Sequence, residues 1–126
     1  RHHNAAAWEH DDETFPGALL LRPEGRIFFA NAERLAEKMR PLIADPSVRT
    51  VILDLRAVTD IEYTALKMLS DAQERLQHLG IALWLVGMNP GVYDVVSRSA
   101  LGERLGRAGM HLNLEQALLS YQSARA

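Results

Sequence analysis

Three carboxylates and three hydroxyls crowd one eleven-residue stretch, Asp54-Leu-Arg-Ala-Val-Thr-Asp-Ile-Glu-Tyr-Thr64. Carboxylates this close together are the material of acid–base catalysis or of a magnesium site. Such chemistry needs partners, and residues 58–64 contain no histidine, lysine or arginine to complete a proton relay or anchor a phosphate. The stretch reads instead as a strand exit and a helix start. Thr59 or Asp60 would cap the helix, and Glu62 would lie in its first turn, where negative charge meets the positive end of the helix dipole. Asp60, Glu62, Tyr63 and Thr64 are the candidate site residues, an acidic rim with an aromatic centre. Such a rim suits a basic protein surface better than an anionic substrate, because tyrosine supplies rigid contact area and the carboxylates steer association.

The elements on either side must hold this rim in place. Val51, Ile52, Leu53 and Leu55 form an apolar run of the kind a parallel strand shows when both its faces are covered. Ala65, Leu69, Ala72, Leu76 and Leu79 recur at three-four spacing, so they share one helix face, and Gly80 is the stop. The rim therefore falls near the carboxyl end of a central strand, where open α/β sheets place their working residues.

Around that unit the chain reads as ββαβαβαβα. Residues 18–22 and 26–29 are short strands about a Pro23-Glu24-Gly25 turn, which predicts an N-terminal β-hairpin. Asn31 is expected to cap a helix carrying Ala32, Leu35, Ala36, Met39 and Ile43 inward, ended at the latest by Asp45-Pro46. Residues 81–86 form a second buried strand, the parallel neighbour of residues 51–55. Asn89-Pro90 then reads as an N-cap with proline at the first helical position, ahead of an apolar face of Val92, Val95 and Val96. A broken helical turn around Gly102 and Gly106, a brief strand at 110–112 and a capping-box start at Asn113 complete the order. The predicted class is α/β, a mostly parallel sheet with sequential βα units and helices mostly on one face. Trp84 and the N-terminal linker are the candidates to cover the other face.

Composition bounds the remaining classes. A chain of 126 residues with 48% hydrophobic content supports one domain. Residues 1–15 read as a polar linker and 16–126 as the domain. His2, His3 and His10 read as part of a solvated tail rather than a metal cluster, and His78 and His111, lacking a second ligand at metal spacing, as surface or edge residues. A net charge of −2 gives no basic face for nucleic acid. With no cysteine, disulfides and cysteine-based zinc sites are excluded. Gly87-Met-Asn-Pro-Gly91 lacks the lysine of a phosphate loop. Of Phe28 and Phe29, only one can face inward along a strand, leaving the other to meet a partner or the linker.

Val-Thr-Asp-Ile-Glu-Tyr-Thr-Ala (58–65) resembles the strand-to-helix turn of STAS domains, the modules shared by sulfate transporters and anti-sigma factor antagonists. Pro-Gly-Ala-Leu-Leu-Leu-Arg-Pro-Glu-Gly-Arg-Ile-Phe-Phe-Ala-Asn-Ala-Glu (16–33) is similar to the opening of the sulfate permease (SulP) branch. The resemblance covers residues 15–121. It implies the regulatory, protein-binding and non-catalytic domain of a bacterial sulfate or anion transporter, at the cytoplasmic face of the inner membrane. A start at Arg1 without an initiator methionine fits an excised piece of such a protein. The expected partner is the membrane portion of its own transporter, with an unidentified cytoplasmic protein or a second copy of the chain as further candidates. No cofactor is implied beyond the weak nucleotide binding known for some STAS domains. The alternative is a free-standing anti-sigma factor antagonist. In those proteins the turn reads Asp-Ser-Ser-Gly and the second serine is phosphorylated; here Glu62, Tyr63, Thr64 and Ala65 occupy those places. Three of the four positions differ, which sets this reading second. A phosphate on Thr64 would add about −1.5 to −2 charge, favoured by the helix end and opposed by Asp60 and Glu62.

Overall fold

In the computed structural model, which describes residues 16–125, four strands form a parallel sheet. β1 (Ala18–Leu21), β3 (Thr50–Asp54), β5 (Ala82–Val86) and β6 (Met110–His111) lie in the order β1-β3-β5-β6, so the two longest apolar runs take the interior places. That placement follows from burial on both faces: Val51, Ile52 and Leu53 are each essentially sealed from water. Alternation along the strands then sorts the core into two layers. Leu19, Leu21, Val51, Leu53, Leu83 and Leu85 face one side. Ala18, Leu20, Ile52 and Val86 face the other.

Four helices cover the first side. α1 (Phe29–Ile43) buries Ala32, Leu35 and Met39, and α2 (Tyr63–His78) buries Ala65, Leu66, Leu69, Ala72 and Leu76. α3 (Pro90–Ser97) adds Val92 and Val96, and α4 (Ala100–Leu105) adds Leu101 and Leu105. Val95, expected on the buried face of α3, is exposed because the stripe follows the four-residue step from Val92 to Val96. The other side is covered by α5 (Leu114–Arg125), whose Ala117 and Tyr121 pack with the partly buried Trp84. Trp84 thus lies on the face expected of it, while the linker and its histidines fall outside the described residues. Among the described residues no helix is long and apolar enough to cross a membrane.

Local signals hold at most of the helix ends. Gly80 takes φ 75° just past α2, a conformation open to glycine at little cost. Asn89 caps α3 by accepting from the Val92 N–H at 2.8 Å. Asn113 caps α5 by accepting from the Gln116 N–H at 2.8 Å.

Two further expectations are corrected. The first strands follow one another through a short turn as in a hairpin, but they do not pair. β1 bonds in parallel to β3, whereas β2 (Gly25–Ile27) bonds in parallel to β4 (Val58–Ile61), a separate two-stranded sheet. The reason is burial: every residue of β1 is buried and needs cover on both faces, while β2 buries only Ile27. The second correction concerns α1, which starts at Phe29 rather than beyond Asn31. Asn31 acts from inside the first turn, accepting from the Phe28 N–H at 2.7 Å and donating to the Arg26 carbonyl at 2.9 Å.

Candidate functional site

The small β2–β4 sheet sits between the ends of β1 and β3 and the starts of α1 and α2. Each of its strands leads directly into a helix, and the Glu62 N–H donating to the Ile27 carbonyl at 2.9 Å holds the two exits together. Tyr63 is the first residue of α2 and Phe29 the first of α1. Two aromatic residues therefore mark two adjacent helix starts. Tyr63 is 78% exposed, Phe29 51% and Phe28 41%, so neither phenylalanine is core. Both lie beyond the end of β2, where the in-and-out alternation expected of a strand no longer applies.

All four predicted site residues gather here, in roles that differ in part from expectation. Glu62 is the N-cap of α2 by backbone conformation, but its side chain makes no cap hydrogen bond. It is turned to Arg26, whose Nη2 lies 2.9 Å from a Glu62 carboxylate oxygen, and the Arg26 Nε lies 3.6 Å from Asp60. Asp60 and Thr59 are exposed strand residues, not helix caps. Thr64 is exposed in the first turn of α2. The turn has no base of its own, but folding brings it one: Arg26, 36 positions before Glu62, shares its guanidinium between the two carboxylates. Such exposed pairs contribute about 0–1 kcal/mol each to stability. Their larger effect is on the charge of the rim, which becomes a mixed border with one carboxylate in excess.

Asp54 does not join this rim. It closes β3, is 3% exposed, and accepts from the Arg22 Nε at 3.2 Å and the Arg56 N–H at 3.1 Å. A buried carboxylate is retained only when charges and donors compensate it, and Asp54 has both. It thereby ties together the chain leaving β1 and the chain leaving β3. Gly87, at φ 73°, passes close above it, where an added Cβ would stand 3.2 Å from an Asp54 carboxylate oxygen. His111 lies on the edge strand as expected and packs against Trp84 with ring centroids 4.6 Å apart.

Comparison with known proteins identifies the architecture. The STAS domain family model matches residues 10–117. The chain belongs to the STAS domain family. High affinity sulfate transporter 2 of Stylosanthes hamata is 24% identical over 119 residues, covering 86% of this chain and 18% of the transporter. The chain thus spans less than a fifth of the length of that relative. The crystal structure of a sulfate transporter family protein from Wolinella succinogenes superposes with a TM-score of 0.74 at 26% identity, over 84% of this STAS domain and 85% of that chain. The unphosphorylated anti-sigma factor antagonist SpoIIAA shares the fold at a TM-score of 0.73 and 17% identity, over 93% and 97% of the two chains. The STAS fold thus accounts for the parallel sheet and its order of strands and helices.

Sequence reasoning missed Arg26 and β4, and it expected one of Phe28 and Phe29 to face outward where both do. Val58 and Ile61 carried the signal for β4, but their three-residue spacing fits neither strand alternation nor a long helix. No local signal pointed to Arg26.

Proposed function

We propose that this STAS domain is the cytoplasmic regulatory module of a bacterial sulfate-permease-type anion transporter, without catalysis of its own. It docks on the membrane portion of that transporter through the face formed by Tyr63, Phe28 and Phe29. The observation that carries this reading is the exposure of three large aromatic side chains at two adjacent helix starts. Buried aromatic anchors with a polar border are the usual energetic centre of a protein interface. Arg26, Asp60 and Glu62 are that border, and the excess carboxylate favours a partner surface with a basic side chain beside an apolar patch. The sulfate transporters among the sequence relatives support the assignment to a transporter.

The test is transport by the full-length protein carrying Tyr63→Ala or Thr64→Glu. Loss of a central tyrosine should weaken docking about tenfold or more and so change transport. Both residues are exposed, so the melting temperature of the domain should hold, with stability within about 0.5 kcal/mol of wild type. Wild-type transport by both variants, or an effect that tracks unfolding, rejects the docking reading. The second reading, a phosphorylation switch at Thr64, is favoured by the exposure of its hydroxyl in the first helical turn. An effect of Thr64→Glu without one of Tyr63→Ala selects it.

A further inference from the structure

The pairing of β2 with β4 is not regular. Gly25 pairs with Val58 and the next residue, Arg26, pairs with Asp60, so Thr59 is an extra residue in β4. This is a β-bulge, and its effect on burial is visible. In a regular strand Val58 and Asp60 would share one face, and Thr59 and Ile61 the other. Here Val58 and Ile61 are both buried, and Thr59 and Asp60 are both exposed. The extra residue thus turns Ile61 into the core and Asp60 out toward Arg26. Without it, either an apolar residue would face water or a carboxylate would face the core, the usual consequence of a one-residue slip.

A bulge leaves backbone groups without ladder partners. The Asn89 side chain reaches two carbonyls at the bulge, its Nδ2 donating to that of Val58 at 3.3 Å and to that of Thr59 at 3.4 Å. The same side chain caps α3 through its Oδ1. Gly87 at φ 73° and Pro90 at the first position of α3 shape the turn that presents it. We infer that Asn89 is a positioning residue for the rim: its amide nitrogen pins the Thr59 bulge and so fixes the direction in which Asp60 and Glu62 point. The consequence for docking rests on the reading proposed above, whereas the bulge and its pin belong to this chain alone.

The two halves of the Asn89 amide can be separated. Asn89→Asp keeps an acceptor for the Val92 N–H and removes the donor to β4, and Asn89→Ser keeps the acceptor without adding charge, its hydroxyl ending one bond short of the position from which Nδ2 donates. Both residues cap helices about as well as asparagine, so α3 should be retained. Amide hydrogen exchange of the 126-residue chain, followed by NMR, reads the outcome. The reporters for the small sheet are the Gly25 N–H, which donates to Ala57, and the Glu62 N–H, which donates to Ile27. The controls are the Tyr93 N–H in α3 and the Leu55 N–H, which donates to Val86 beside the main sheet. Both variants should speed exchange at Gly25 and Glu62 about tenfold, the weight of one net hydrogen bond, with Tyr93 and Leu55 near wild type. The inference fails if the Gly25 and Glu62 rates are unchanged, if only one variant speeds them, or if all four amides quicken together. Because the measurement needs no partner, a failure of docking with altered exchange rejects the docking reading and leaves the pin standing.

Discussion

Asp45 accepts two hydrogen bonds on one oxygen, from the Ser47 N–H at 2.9 Å and the Ser47 hydroxyl at 2.8 Å. These bonds, the backbone one first, stabilise the charged form and hold the Asp45 carboxyl below its ordinary value. A carboxyl depressed by folding stabilises the native state fully above its unfolded pKa and loses that contribution as the pH falls through the folded one. The effect therefore belongs to the acid side, below about pH 4. Ser47→Ala should move the Asp45 midpoint upward in a carboxyl-carbon NMR titration and flatten the acid limb of a stability–pH curve. An unchanged midpoint would refute the assignment. This turn was only partly legible in the chain: Asp45-Pro46 announced a helix end, but the double bond from Ser47 depends on how the turn closes.

Between elements, the joint of α2 and α4 is polar where most of the core is apolar. Ser70 and Gln73 are buried on α2, and Arg104 reaches across from α4. Its Nη2 donates to the Ser70 hydroxyl at 2.8 Å, and its Nη1 donates to the Ser70 carbonyl at 3.2 Å and the Gln73 side chain at 3.3 Å. Removing the guanidinium leaves buried polar groups without partners, which costs more than a hydrogen bond gained on folding. Arg104→Ala should therefore destabilise the domain by about 1–3 kcal/mol, read as a lower urea midpoint at constant slope. A change below about 0.5 kcal/mol, the level of an ordinary surface substitution, would show the joint to be solvated. Apolar spacing places α2 in the sequence with ease, yet nothing in that spacing marks Ser70 as buried. Its partner comes from 34 positions away.

At the scale of the whole molecule, the sheet has two unlike covers. α1 to α4 bury one face, and α5 buries the other through Ala117, Tyr121 and the edge contact of Tyr121 with Trp84, ring centroids 6.2 Å apart. Among the described residues α5 is the helix that covers that face, so each residue of this cover counts for more. Tyr121→Ala should cost about 3–5 kcal/mol, the range for truncating a buried aromatic, measured by urea unfolding followed by circular dichroism. A cost under about 1 kcal/mol would mean that α5 is not what seals Ile52 and Val86. Apart from β4, the order of the main elements, the interior places of β3 and β5 and the caps at Asn89 and Asn113 were legible in the chain by itself. Each depends on periodicity, on continuous apolar runs or on contacts within a few residues. The STAS resemblance was legible for the same reason, since it rests on local segments in a fixed order. Tertiary structure alone decided that β1 and β2 part to different partners, that α5 takes the second face, that Arg26 pairs with Asp60 and Glu62, and that the starts of α1 and α2 lie side by side. It also decided that Asn89 holds a bulge in β4. These features depend on groups some 30 or more positions apart, and no local propensity specifies which distant strand or side chain satisfies a burial or hydrogen-bonding requirement that the sequence states only in general terms.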